Sequence, residues 1–282
     1  MPLSVKAIDH LVIRVADLDA GQKLFERLGF TLTPRGFHAG RGSANHTAPL
    51  PSGNYFELIY LPPGADAPFP ERPEGPVALA LAPTDSHIVH AELTALGYHV
   101  DPPRDLARPV HLPEGTREAR FINVGLPPIA PQAIGFFACQ HLTRDLVWRP
   151  EWEGHANGAE RVSEIIAVHP SPADLQATYI GLYGETAVRA DRDGLVVTLG
   201  GDKISFLAPQ TFEKRFPTIA VPADLSEAGW FAGATLRVRS LDKVASVLAA
   251  AGIAATRAPS GSLIVAPSEA ANTLLEFAAW MA

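Results

Sequence analysis

The chain has 282 residues, 47% of them apolar, and its 23 Lys and Arg against 30 Asp and Glu give a net charge of -7. This length suffices for about two domains with separate cores, and an acidic balance without a basic cluster argues against a nucleic-acid partner. The single cysteine, Cys139, and the absence of a signal peptide or a membrane-length apolar run predict a cytoplasmic protein with neither an internal disulfide nor a membrane partner.

The first 62 residues predict one unit of a strand, a helix and three further strands. Residues 8–15 are rich in β-branched side chains, and Asp17 or Asp19 provides an N-cap for the helix that follows. Apolar residues recur at helical spacing until Gly29, which stands where a left-handed C-cap would fall. Short strands follow, and the last of them covers residues 54–61.

The same outline returns three more times along the chain. The helix end Leu28-Gly29-Phe30 corresponds to Leu96-Gly97-Tyr98 in a second unit, and the closing strand of the first unit returns as residues 274–277. The sequence therefore predicts an α+β fold of four βαβββ modules, paired into two domains whose curled mixed sheets surround a cleft. The predicted domains are residues 1–152, with modules at about 6–62 and 76–142, and residues 160–282, with modules at about 161–209 and 231–281.

Three strings resemble the vicinal oxygen chelate superfamily, which includes glyoxalase I, extradiol dioxygenases and bleomycin-resistance proteins. They are Ile8-Asp9-His10-Leu11-Val12, Leu28-Gly29-Phe30 and Tyr55-Phe56-Glu57-Leu58. Residues 33–46 and 137–158 are similar, more narrowly, to glyoxalase-like domain proteins. The resemblance implies the four-module fold, but one scaffold hosts isomerases, lyases, dioxygenases and metal-free binders, so several reactions stay open.

The resemblance also implies a divalent metal between the first and last strands of the paired modules. Carried over to this chain, it assigns His10 and Glu57 as ligands of Zn, Fe, Mn or Ni, a donor set suited to these ions. The matching positions of the second unit are Ala78 and Phe137, which cannot bind a metal. Half of the expected ligand set is therefore missing.

Other side chains are candidates for catalysis and substrate binding. Glu57 is the predicted base, and His38 is a second catalytic candidate that would complete a two-His-one-carboxylate set. The Pro-rich segment from 102 to 131 is longer than its counterparts, which favours a loop over the cleft with arginines for an acidic group. Cys139 lies in an apolar run and is predicted to be a core residue. The predicted substrate contacts are Asn45, His46, Arg120, Phe137 and His141.

In the second domain, Glu164 and Glu276 stand at the positions of His10 and Glu57. Two carboxylates facing each other can bind a hard cation, whereas the simpler interpretation places each of them in solvent at the end of a strand. The loss of the usual ligand types predicts that this domain serves mainly as a scaffold or as a homodimer surface.

Two functional hypotheses follow. The first is a divalent-metal-dependent lyase, isomerase or dioxygenase that acts on a small molecule with vicinal oxygens. The alternative is a metal-free protein of the same fold that binds and sequesters a small molecule, and the missing ligands at Ala78 and Phe137 favour it.

Overall fold

A computed structural model of the chain describes residues 2–37, 42–65, 74–127 and 134–280. Two eight-stranded mixed sheets and six α-helices form the described part, which confirms the predicted α+β fold of paired βαβββ modules. No helix within these ranges is long and apolar enough to span a membrane.

The first sheet contains the two N-terminal units. Its strands are β1 (Val5–Arg14), β2 (Gly36–Phe37), β3 (Ala44–Pro49), β4 (Tyr55–Tyr60), β5 (Gly75–Pro83), β6 (Arg104–Leu112), β7 (Gly115–Leu126) and β8 (Gly135–His141). The helices of this half are α1 (Leu18–Arg27), α2 (Ser86–Ala95) and α3 (Pro150–Glu153).

The second sheet contains the two C-terminal units. Its strands are β9 (Ala159–Val168), β10 (Val188–Asp191), β11 (Gly194–Leu199), β12 (Asp202–Leu207), β13 (Trp230–Val238), β14 (Ala255–Arg257), β15 (Leu263–Val265) and β16 (Leu274–Ala279). The helices of this half are α4 (Gln176–Tyr183), α5 (Pro209–Arg215) and α6 (Leu241–Ala250).

Strand order explains why residues from two units share one cleft. The first sheet runs β2-β3-β4-β1-β5-β8-β7-β6, so the antiparallel strands β1 and β5 lie at its centre. Each of them pairs in parallel with the closing strand of its own unit, with Val12 opposite Glu57 in the first and Ala80 opposite Phe137 in the second. Phe137 therefore occupies in the second unit the place that Glu57 has in the first.

The ends of α1 follow from local chemistry. The Asp17 carboxylate accepts a hydrogen bond of 2.8 Å from the backbone N–H of Ala20, as predicted for an N-cap. Gly29 ends the helix with φ of +89°, and a Cβ there would lie 2.9 Å from the backbone nitrogen of Asn157. Glycine is thus required both by the left-handed backbone and by the close approach of a later segment.

A single apolar cluster extends through both halves of the protein. The rings of Phe30 and Phe277 stack with centroids 6.5 Å apart, and Phe136 meets Phe231 edge to face at 5.7 Å. Because apolar burial is the main favourable term in folding, this shared cluster holds the two sheets together. His10, Glu57, Glu164 and Glu276 are not part of it.

Residues 104–126 of the segment predicted as a loop over the cleft form a β-hairpin instead, and residues 128–131 of that segment lie outside the described residues. Strands β6 and β7 form nine paired positions, from Arg104 opposite Asn123 to Leu112 opposite Gly115. The loop prediction was wrong because its prolines are compatible with this hairpin: Pro109 lies within β6, an edge strand, where a missing N–H is tolerated. The inner face of the hairpin forms one wall of the N-terminal cleft.

An internal arginine closes the equivalent cleft of the second sheet. Arg215, the last residue of α5, donates to both oxygens of Glu164 at 3.0 and 2.7 Å and to Glu276 Oε2 at 2.5 Å. The Thr235 and Ser262 hydroxyls also donate to Glu276, at 2.7 and 2.6 Å. The expectation that both carboxylates reach solvent was wrong, since the Glu276 side chain is only 4% exposed. The guanidinium lies where a hard cation would otherwise bind.

We expect Arg215→Met to destabilise the protein, because two carboxylates would lose their cation. Removing one partner of a buried ion pair costs about 3 to 5 kcal/mol, and the 27% exposure of the Arg215 side chain reduces this to about 2 to 3 kcal/mol. Urea unfolding of the wild type and the variant measures the difference. The control is Arg189→Met, whose side chain is 82% exposed and whose loss should change stability by less than about 0.5 kcal/mol. Equal effects of the two substitutions would contradict the network's role.

The contribution of Glu164 should depend on pH. Burial raises the pKa of this carboxyl, but the hydrogen bonds and charge of Arg215 outweigh it and hold the pKa below the ordinary value of 4.5. A lowered folded-state pKa contributes stability above pH 4.5 that is lost as the pH falls further. The difference in unfolding free energy between wild type and Glu164→Gln should therefore be larger at pH 7 than at about pH 3. If urea titrations give the same difference in unfolding free energy at both pH values, the pH-dependent contribution of Glu164 is refuted.

Candidate functional site

A bulge in β1 brings two neighbouring side chains into one polar cluster. Ile8 is paired with Leu81 and His10 with Ala80, so Asp9 is the extra residue between them. Consecutive residues of a regular strand point to opposite faces, and a bulge redirects a side chain. Asp9 Oδ1 consequently lies 2.6 Å from His10 Nδ1, and both residues are 2% exposed.

His10 is held between two carboxylates. Its Nδ1 donates to Asp9, and its Nε2 lies 3.4 Å from Glu57 Oε2. The Tyr55 ring stacks on the imidazole with centroids 4.2 Å apart, and Phe137 meets it edge-on at 5.4 Å. Burial lowers the pKa of His10, but the hydrogen bonds and charges of Asp9 and Glu57 outweigh it and raise the pKa to about 9. In the absence of a ligand the imidazole therefore carries a positive charge at neutral pH.

Asp9 connects His10 with a second histidine. His141 Nε2 donates to Asp9 Oδ1 at 3.0 Å, and Cys139 Sγ lies 3.8 Å from the same nitrogen. Burial raises the pKa of Asp9, but the charges of His141 and His10 and their hydrogen bonds hold it well below its usual range. Burial also raises the pKa of the Cys139 thiol. Cys139 is thus a protonated, buried side chain and a poor nucleophile.

An amide orients the Glu57 carboxylate. Asn45 Nδ2 donates to Glu57 Oε1 at 2.6 Å, which leaves Oε2 as the oxygen facing His10. Gly36 makes room for this arrangement, because a Cβ there would lie 2.4 Å from Asn45 Oδ1 and 2.9 Å from Arg108 Nη1.

A cavity of about 80 Å³ opens onto this cluster. Its polar lining residues include His10, Asn45, Thr47, Glu57, Arg108, Asn123 and the thiol of Cys139. Its aromatic walls are Tyr55, Phe121 and Phe137. A single water needs roughly 10 to 15 Å³ on this measure, so the cavity has room for several waters or a small organic molecule. Asp9 and His141 are not part of its lining and support it from behind.

The structure brings together most of the residues that the sequence predicts for the site. His10, Asn45, Glu57 and Phe137 line the cavity, and His141 contacts Asp9.

Three predicted residues are placed elsewhere or are not described. His46 is buried away from the cavity, where its Nδ1 bonds to the Thr33 carbonyl at 2.7 Å. The Arg120 side chain is 56% exposed and lies 3.9 Å from Glu118. His38 lies outside the described residues.

Sequence reasoning missed three groups: Asp9, Arg108 and Asn123. Strict alternation places Asp9 on the face opposite to His10, and no sequence signal announces the bulge. Arg108 and Asn123 were missed because their segment was interpreted as a loop. Leu106, Val110 and Leu112 are apolar residues at even spacing in β6, and this period of two could have identified the strand.

The donor set fits a divalent metal on the cavity side of His10. The 3.4 Å between His10 Nε2 and Glu57 Oε2 is the spacing of two ligands on one tetrahedral ion with bonds of about 2.1 Å. Asp9 on Nδ1 of the imidazole and Asn45 on the other carboxylate oxygen are the supporting hydrogen bonds that metal ligands usually have.

A second grouping of possible ligands lies behind the imidazole. Ligand atoms of Asp9, His10, Cys139 and His141 all lie within 4.8 Å of one another. Asp9 already accepts from both imidazoles, and neither Asp9 nor His141 lines the cavity. The pair His10 and Glu57 is therefore the better candidate for a metal that a substrate can reach.

Solved structures resemble the protein over its whole length. A hypothetical protein from Staphylococcus aureus has 10% identity and a TM-score of 0.67, covering 97% of this chain and 99% of that one. The Mn(II)-bound glyoxalase from Novosphingobium aromaticivorans has 15% identity and a TM-score of 0.55, with coverages of 98% and 82%. The 2,3-dioxygenase LapB from Pseudomonas sp. KL28 has 11% identity and a TM-score of 0.58, with coverages of 100% and 94%. At these identities the similarity establishes the fold only.

A family model described as a glyoxalase-like domain matches residues 8–183, which include the first two units and the first strand and helix of the third. No curated protein matches the chain. The match extends over more than half of the sequence and agrees with the fold, which confirms the resemblance inferred from the motifs. The protein belongs to the glyoxalase-like domain family and has the vicinal oxygen chelate fold.

Proposed function

We propose that the protein is a metal-dependent enzyme of the lyase or isomerase class that acts on a small molecule with two vicinal oxygens. One observation carries the proposal: His10 Nε2 and Glu57 Oε2 face one cavity 3.4 Å apart, and each side chain is held by a supporting hydrogen bond. A glyoxalase with the same fold is Mn(II)-bound, which supports a divalent metal in this protein.

The residues have separate tasks in this proposal. A bound divalent ion supplies a Lewis acid that polarises a substrate oxygen. Asp9 fixes the orientation of the His10 ring, so that Nε2 points to the cavity. Asn45 fixes Glu57, whose Oε2 would hold the ion and, once released from it, would take a proton from the substrate carbon. The aromatic walls of the cavity limit the access of water to that proton.

The arrangement of imidazoles favours proton transfer over oxygen activation. Non-haem iron dioxygenases bind their metal with two histidines and one carboxylate. Among the described residues that line the cavity, His10 is the one imidazole, and His141 is turned toward Asp9. The described ligand set therefore suits a Lewis-acid site better than an oxygenase site.

A metal-free binding protein is the second candidate. Ala78 and Phe137 stand in the second unit where His10 and Glu57 stand in the first, so that unit contributes no ligand at those positions. The buried charges of Asp9, His10 and Glu57 also compensate one another without an ion.

Metal binding separates the two candidates. Protein stripped by a chelator and then exposed to Mn²⁺, Zn²⁺, Fe²⁺ or Ni²⁺ is expected to take up a stoichiometric ion, measured by elemental analysis and calorimetry. His10→Ala and Glu57→Gln should each weaken binding by more than about 100-fold, beyond the effect of losing a supporting hydrogen bond. Glu276→Gln is the matched control, because this buried Glu has the same place in its module but is paired with Arg215. A wild type that binds none of these ions leaves only the metal-free candidate.

The hydrogen bond from His10 to Asp9 should be detectable through the pKa of the His10 imidazole. In metal-free protein the His10 ring is expected to keep its proton until the pH passes about 9. Asp9→Asn removes one of the two carboxylates that raise this pKa, so the titration should move down from about 9 in the direction of 6.5, the ordinary value. NMR of the ring resonances measures both. His155 is an internal control, because burial rather than a carboxylate shifts its pKa, downward. A wild-type His10 that titrates near 6.5 contradicts the assigned contact.

A further inference from the structure

Arg108 is a buried cation that the described part of the chain leaves without a partner. It is 8% exposed and lines the cavity beside His10 and Glu57. None of the described residues forms a hydrogen bond or an ion pair with its guanidinium. An arginine stays charged at all physiological pH values and cannot escape burial by losing a proton. An unpaired buried charge is costly, so an anion is the expected complement.

The position of the guanidinium is fixed by its neighbours. A Cβ on Gly36 would lie 2.9 Å from Arg108 Nη1, so this nitrogen lies close to the backbone at the cavity edge near Asn45. Burial raises the pKa of Tyr55, and the charge of Arg108 opposes that rise. The guanidinium is therefore close enough to act electrostatically on Tyr55, the residue whose ring stacks on His10.

Asn123 provides a second unsatisfied group on the same wall. It is paired with Arg104 across the hairpin, and Arg108 lies four residues further along β6, so both side chains share the inner face. Asn123 Oδ1 is buried and has no hydrogen-bond donor among the described residues. A buried acceptor without a donor costs about 1 to 3 kcal/mol. A hydroxyl group on the ligand would satisfy it.

We propose that Arg108 and Asn123 form a subsite for a small 2-hydroxy acid, in which the guanidinium binds the carboxylate and Asn123 Oδ1 accepts from the hydroxyl. The inference rests on the proposed function, because it names the substrate class of the same cavity. Arginine pairs with carboxylates through two parallel N–H donors, which fixes the orientation of the anion. The carboxylate and the neighbouring hydroxyl would also provide the two vicinal oxygens of the substrate class proposed above.

The test uses ligands that differ by one group. Metal-loaded wild type is titrated calorimetrically with lactate, with propionate, which lacks the hydroxyl, and with propane-1,2-diol, which lacks the carboxylate. Mandelate and phenylacetate repeat the comparison with an aromatic substituent. We expect the hydroxy acids to bind at least about tenfold more tightly than either partial analogue, a factor that corresponds to one hydrogen bond in a buried site.

Substitutions assign the binding to the subsite. Arg108→Met should weaken hydroxy-acid binding by about 10- to 100-fold while metal content stays unchanged, because the guanidinium is not a ligand. Asn123→Ala should reduce the preference for lactate over propionate. Arg120→Met is the matched control on the outer face of the same hairpin and should bind as the wild type does. The melting temperature of Arg108→Met should equal or exceed that of the wild type, since the substitution removes an unpaired buried charge. If Arg108→Met fails to fold, Arg108→Lys provides the same comparison with the charge retained and the bidentate geometry lost.

The outcomes distinguish this inference from the proposed function. A wild type that binds metal but neither hydroxy acid overturns the subsite and leaves the metal enzyme standing. Equal binding of lactate by wild type and Arg108→Met, or of lactate and propionate by the wild type, also overturns it. Hydroxy-acid binding that depends on Arg108 in a protein that takes up no metal supports the subsite and overturns the metal-dependent function instead.

Discussion

The burial of one imidazole between two carboxylates is the constraint on which the N-terminal cleft depends. His10 is almost inaccessible to solvent, and its charge is tolerated because Asp9 and Glu57 lie on its two nitrogens. The three side chains must keep their places together, since any one of them alone would be an uncompensated buried charge. The bulge at Asp9, the amide of Asn45 and the stacked ring of Tyr55 all serve to hold that geometry.

In the second sheet, buried carboxylates are compensated by the side chain of an arginine. Glu164 stands in the third unit where His10 stands in the first, Glu276 stands in the fourth unit where Glu57 stands in the first, and the guanidinium of Arg215 bridges the two carboxylates. Because the bridging charge is covalently part of the chain, this cleft is satisfied internally. The N-terminal cleft differs in that its polar groups face a cavity. The two halves of the repeated fold thus differ: a side chain of the protein occupies the C-terminal cleft, whereas the N-terminal cleft contains a cavity that is open to a ligand.

The two clefts also differ in the partners of their buried arginines, Arg215 and Arg108. Arg215 is paired with two carboxylates, whereas Arg108 is more deeply buried and has no partner in the described part of the chain. Buried groups without partners cost stability and are expected where a ligand is to complete them. The cavity is polar on one wall, where Arg108 and Asn123 lie, and polar again beside that wall, at His10 and Glu57. The proposed chemistry depends on this incomplete satisfaction.

The sequence by itself determined the repeat and the fold class and pointed to the two residues of the proposed metal site, because periodicity and matching motifs are local properties of the chain. His10 and Glu57 could be found in this way, as could their unsuitable counterparts Ala78 and Phe137. Only the tertiary structure decided what surrounds them. A bulge reverses the face of Asp9, a hairpin carries Arg108 to the cavity, and Arg215 reaches Glu164 across 51 positions of the chain. Such contacts depend on strand register and on long-range packing, which a pattern along one sequence does not specify.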